Sequence, residues 1–186
     1  MKAGGVGGAN TKTGLHFETR SDLIEAIKQL DGYEVTKVGE ILFNGKPVAL
    51  SLRKNALYKF LEGKGYDYKS VLSKRLLPDE AILVYETNTL YVVEMKFQSI
   101  AGSVDEKLQT CDFKRKQYLR LLTPLNIGVE YFYILNDWFK DPTYRDVLAY
   151  IKEVSCDYFF NEIELNRLGL PAMHSDDSVE SPEAAN

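Results

Sequence analysis

The spacing of apolar positions changes several times along the chain, and each change predicts an element. In the stretch Phe17 to Leu30, Leu23, Ile24, Ile27 and Leu30 fall at i, i+1, i+4 and i+7. That is one buried stripe, so a helix is expected there, ended by Asp31-Gly32. Residues 33–54 alternate instead and predict short strands, with Asn44-Gly45 as a hairpin turn. Residues 55–77 read as mostly helical, interrupted at Gly63 and Gly65. Two β-rich runs follow, AILVY at 81–85 and LYVVEMKFQ at 90–98, joined by the turn Glu86–Thr89. A long helix is then expected from Gly102-Ser103 to Leu122, with Ser103 and Glu106 as a capping box and Pro124 as its stop. The nearly all-apolar run Val129–Leu135 predicts a central strand covered on both faces. Asp141-Pro142 predicts an N-cap and first turn of a helix to about Val154. Residues 155–172 read as a short closing segment. The order predicts an α/β fold, a three-layer α/β/α sandwich with a central mixed sheet.

Composition narrows the picture. The chain has 186 residues, 45% hydrophobic and 27% charged, enough for one domain with a real core, placed at residues 1–172. Residues 1–14 hold five glycines and read as a flexible lead-in, because neither a Walker A loop nor GxGxxG is matched there. No apolar run approaches the ~20 residues of a membrane helix, and no apolar region marks a secretory signal, so no membrane association is expected. Cys111 and Cys156 form no CxxC pair and suit a reducing, cytoplasmic setting. The net charge is −4. Residues 173–186 carry Asp176, Asp177, Glu180 and Glu183 with no Lys or Arg, so this tail, expected to be disordered, accounts for the whole excess. The remaining body is neutral, which predicts weak independent DNA binding.

The chemistry concentrates around two short motifs. On a strand Glu94, Lys96 and Gln98 share one face, and Met95 and Phe97 the other. If the flanking strands pair, Asp79 arrives near Glu94. Two carboxylates beside a lysine suit a hard divalent cation and phosphodiester hydrolysis. The bland alternative is a solvated edge pair, but Val92 shares the face and Tyr91-Val92-Val93 is continuously apolar. Charged groups at the end of a buried strand need a reason.

Pro78-Asp79, fourteen intervening residues and Glu94-Met95-Lys96 on a strand followed by a helix resemble the PD-(D/E)xK nuclease superfamily, over roughly residues 15–137. The resemblance implies a restriction-endonuclease-like fold and Mg²⁺, for which Mn²⁺ substitutes. It implies Asp79 and Glu94 as metal ligands with the Met95 carbonyl, and Lys96 assisting the attacking water. It further implies Glu18 as an added carboxylate, with Glu25 a weaker substitute, and Gln98 as part of an ExKxQ variant. The segments GGANTKTGLHFE, GSVDEKLQTCDFKRKQYLRLL and LNRLGLP look most like the small catalytic subunit of heterodimeric type IIS restriction endonucleases. That resemblance implies double-stranded DNA as substrate and a larger partner that recognises the site and cuts the other strand. Two alternatives stand beside it: a homodimeric resolvase-like or repair nuclease, and a non-catalytic subunit on a nuclease-like fold.

Other residues divide between sharp and bland readings. Lys107, Lys114 and Arg115 on the helix after the Glu94 strand could hold DNA phosphates, or form a solvated face of i,i+4 pairs. Ser103 could meet a phosphate at the helix N-terminus, although a structural cap is the simpler role. His16 reads as a surface residue and Cys111 as core. Trp138 and Phe139, at the exit of an aromatic strand, are the candidates for a partner surface.

Overall fold

The structure is a computed structural model that describes residues 14–17, 22–100 and 104–172. It is a mixed α/β fold built on a seven-stranded sheet. Its strands are β2 (Tyr33–Val35), β3 (Glu40–Phe43), β4 (Lys46–Ser51), β5 (Glu80–Val84), β6 (Thr89–Lys96), β7 (Gly128–Leu135) and β8 (Asp157–Phe160), adjacent in chain order. Pairing is antiparallel from β2 to β6 and parallel from β6 to β8. The two parallel steps need crossovers, and helices supply them. A separate antiparallel pair joins β1 (Gly14–His16) to β9 (Glu162–Glu164).

The helices are α1 (Leu23–Lys28), α2 (Ala56–Gly63), α3 (Val104–Leu108), α4 (Cys111–Leu122) and α5 (Arg145–Glu153). One sheet face packs against α2, α4 and α5 through Leu57, Leu61, Tyr118, Leu121 and Ile151. The other is covered by α1 and the β1–β9 pair through Leu15, Leu23, Ile27, Ile163 and Leu168. The expected sandwich thus has one helical layer, while its second layer is half strand.

The Asn44-Gly45 hairpin forms as expected, with both residues at positive φ. So does the β5–β6 hairpin. Four expectations are corrected. The first helix is only six residues, because the Asp22 side chain caps it by accepting from the Ile24 N–H at 2.9 Å; Phe17 follows β1 instead and donates its N–H to the Asn161 carbonyl at 2.8 Å. Residues 55–77 are helical only to Gly63; beyond Gly65, at φ +68°, the chain makes one 3-10 turn at Tyr68–Ser70. The long helix breaks at Gln109-Thr110, where the Thr110 hydroxyl bonds back to the Lys107 carbonyl at 2.7 Å. The closing segment contributes β8 and β9, two strands too short to show a period. Asp141 does cap, accepting from the Thr143 N–H at 2.9 Å, but it opens a 3-10 turn that precedes α5. Most of the Gly-rich lead-in and the whole acidic tail lie outside the described residues.

Candidate functional site

Strand β6 sets the geometry. Leu90 and Val92 face the helical layer, and Tyr91 and Val93 the opposite core. The same alternation turns Glu94 and Lys96 toward the helical layer as the strand leaves the core. Met95 packs on the other side, so only its backbone could serve the site. In the antiparallel register Glu80 lies opposite Val93. Asp79 is the residue immediately before β5, just beyond the last paired position. Asp79 is exposed there, while Glu94 is only 4% exposed.

Glu94 is surrounded by donors. The Lys96 ammonium lies 2.9 Å from Oε2. Lys114, one turn into α4, places Nζ at 2.6 Å from Oε1 and 2.9 Å from Oε2. The Tyr131 hydroxyl, from β7, donates to Oε1. Burial pushes the Glu94 carboxyl up, but Lys96, Lys114 and Tyr131 together outweigh it and hold it below the usual range. Burial and the Glu94 charge push the Tyr131 phenol far up, so it stays a neutral donor. Tyr133, opposite Glu94 on β7, is buried with its hydroxyl on the Lys107 and Leu108 carbonyls. The result is an ionised, water-poor carboxylate flanked by two ammonium groups at the end of a central strand.

Other expected site residues fall elsewhere. Gln98 lies beyond the end of β6 at 7% exposure. Its backbone pairs with the Asn136 side chain, which accepts from Gln98 N–H at 3.2 Å and donates to its carbonyl at 2.7 Å. The Gln98 amide itself has no partner among the described residues. Glu18 and Ser103 lie outside the described residues. Glu25 is on α1 and pairs with Lys28 at 2.8 Å, so it joins the opposite layer. Lys107 is exposed. Arg115 is half-buried on α4, with its Nε buried and its charge reaching the Cys156 thiol. Lys116 makes the expected i,i+4 pair with Asp112 at 2.7 Å. Phe139 is fully buried core and offers no partner surface; Trp138 donates its indole N–H to the Tyr144 hydroxyl at 2.6 Å. His16 sits exposed on the β1–β9 pair beside Glu162, and Cys111 is core as expected.

Sequence reasoning missed two members of the site. Lys114 was legible as a helix cation but not as a partner of Glu94, because the break at Thr110 resets the helix phase. Tyr131 reads as core in any apolar run, and only the parallel register brings it beside the carboxylate. A third group, Glu80, stands next to Asp79 and turns to the layer opposite Glu94. Its side chain is 13% exposed, 3.5 Å from Arg53, which also pairs with the capping carboxylate of Asp22. Burial raises the Glu80 carboxyl to about 7.

Asp79, Glu94 and the Met95 carbonyl are hard oxygen donors of the kind Mg²⁺ takes. Among the described residues no cluster of three or more His, Cys, Asp or Glu forms a ready metal cage. An ion held by so few protein oxygens would keep several waters. No helix among the described residues is long and apolar enough to cross a membrane. No protein-family model, curated protein or solved structure matches the chain, so the functional reading rests on the residues and geometry above.

Proposed function

We propose that the protein is a divalent-metal-dependent endodeoxyribonuclease acting at the Asp79–Glu94–Lys96 strand ends. The observation that carries this reading is the buried, ionised Glu94 with the Lys96 ammonium at 2.9 Å, on the strand that pairs with the one Asp79 leads into. Asp79 and Glu94 would hold Mg²⁺ or Mn²⁺ with the Met95 carbonyl, and Glu18 would add a carboxylate. The bound ion would supply a Lewis acid for the phosphodiester and its water. Lys96 would orient that water for attack on phosphorus. The bond to the 3′-oxygen breaks, leaving a 3′-hydroxyl and a 5′-phosphate. Lys114 would keep Glu94 ionised when Lys96 turns from the carboxylate toward the water. One such site cuts one strand, which is consistent with a small subunit working beside a larger site-recognising nuclease.

A second reading is favoured by one feature: both Glu94 oxygens are already engaged by lysines, as in a purely structural ion-pair network. Supercoiled-plasmid cleavage in Mg²⁺ or Mn²⁺ separates the two. Wild type is expected to yield nicked circles, with Lys96→Ala and Asp79→Ala slower by about 10²-fold or more. Equal rates for wild type and both variants, or no cleavage together with no Mn²⁺ binding by calorimetry, would establish the structural role instead.

A further inference from the structure

The neutral body conceals a segregation of charge. Residues 54–76 carry six basic side chains against Glu62 and Asp67, a net +4, while the rest of the chain carries −8. Lys54, Lys59, Lys64, Lys69, Lys74 and Arg75 are all exposed, and none pairs with a carboxylate among the described residues. On α4 two of the four cations are held, Lys114 by Glu94 and Lys116 by Asp112, while Arg115 and Arg120 have no carboxylate partner among the described residues.

This basic segment is moored at the candidate site. At its start, the Lys54 N–H donates to the Pro78 carbonyl at 2.7 Å. At its end, the Leu76 carbonyl accepts from Tyr58 at 3.0 Å and from Tyr118 of α4 at 3.2 Å. Tyr118 lies one turn beyond Lys114, and Pro78 precedes Asp79. Between these ends, α2 and the following turn bury Leu57, Leu61, Tyr68 and Leu72 and turn their charged residues outward. A cavity of about 540 Å³ opens on the segment, lined by Lys69, Ser73 and Arg75 together with Glu62, whose carboxylate accepts from the Tyr68 hydroxyl at 2.9 Å.

We propose that residues 54–76 form the surface that carries the phosphate backbone of double-stranded DNA to the Asp79–Glu94 edge. This deepens the nuclease reading and rests on it for the choice of polyanion. Free cations gain affinity by releasing the counterions condensed on DNA, whereas paired ones must first give up a carboxylate. The six unpaired cations of residues 54–76 therefore outnumber the two left unpaired on α4 and make this segment the main DNA-contacting element.

The test is fluorescence-anisotropy binding of a labelled 30-base-pair duplex in EDTA, across a salt series, so that no cleavage occurs. The full chain is compared with K59Q/K64Q/K69Q/K74Q and with K28Q/K37Q/K46Q/K152Q, which makes the same net charge change elsewhere. Thermal melts establish that all three are folded. The first variant is expected to bind at least 10-fold more weakly at low salt and to lose about two or more from the slope of log K against log salt. The second is expected to keep a slope near wild type. Equal losses in both variants would reduce the effect to net charge and overturn the proposal. So would an unchanged slope in the first, no duplex binding by wild type, or binding by wild type only to phosphatidylserine vesicles. Binding that depends on these lysines in a protein that never nicks DNA would sink the nuclease reading and leave the surface standing. Nicking without such dependence would do the reverse.

Discussion

Glu94 is costly where it stands, and its neighbours are the reason it is tolerated. A carboxylate this buried needs its charge matched and its lone pairs filled, and two ammonium groups and a phenol do both. Removing one partner leaves the rest of the network exposed to its desolvation cost. Lys114→Met is therefore expected to destabilise the protein by about 1–3 kcal/mol, and Tyr131→Phe by about 1–2 kcal/mol, by urea denaturation. A loss below about 0.3 kcal/mol in both would show that Glu94 is held by Lys96 alone. Glu80 behaves oppositely. Its carboxyl is raised by burial to about 7 from its ordinary 4.5. The folded state then binds a proton more tightly than the unfolded chain, so this group's contribution to stability falls as pH rises from about 4.5 through about 7. Glu80→Gln is expected to gain about 1–2 kcal/mol relative to wild type at pH 8 and little at pH 4.5, in EDTA. The same gain at both pH values would exclude titration of Glu80 as its origin.

At the scale of elements, local punctuation was more informative than length. Asn44-Gly45, Asp141-Pro142 and the turn before Thr89 act where the residues suggest, because turn and cap preferences are short-range. The helices are shorter than their apolar stripes, since Asp22, Gly65 and Thr110 offer the backbone competing partners or conformations. The three-residue strands β1 and β9 were invisible, because neither holds enough residues to show an alternation. They matter all the same, since they and the turn Leu165–Leu168 cover one face of the sheet. That turn ends at Gly169, at φ +64°, where an added Cβ would meet the Tyr91 hydroxyl at 2.8 Å. Gly45 has a similar φ, +74°, but open space around it. Gly169→Ala is thus expected to cost about 2 kcal/mol or more and Gly45→Ala about 1 kcal/mol. Equal midpoint shifts in parallel denaturations would mean that strain alone, without the contact, sets the cost.

At the scale of the whole molecule, the exposed large hydrophobics among the described residues are Val38, Leu77, Tyr85, Ile100 and Phe113. Five such side chains are fewer than the apolar centre of an obligate dimer interface, which draws on about 20–30 residues a side. Sedimentation of the purified chain at micromolar concentration is expected to give a monomer of about 21.2 kDa. A stable dimer would favour the self-sufficient nuclease over the small-subunit reading.

The sequence by itself determined the α/β class, the two hairpins, the face shared by Glu94 and Lys96, and an apolar strand covered on both faces, although that strand, β7, lies second from the sheet edge and not at its centre. Each of these follows from spacing within one segment, where a period of two or 3.6 residues is enough. Only the tertiary structure decided the rest. Lys114 and Tyr131 reach Glu94 from two different elements, across a helix phase and a parallel register that no local spacing encodes. That Glu80 turns to the layer opposite Glu94 becomes visible only once β5 is locked against β6. The charge of residues 54–76 was countable from the start. It became a surface only when the fold buried the segment's apolar face and moored its ends beside Asp79, because position relative to a site is a property of packing and not of composition.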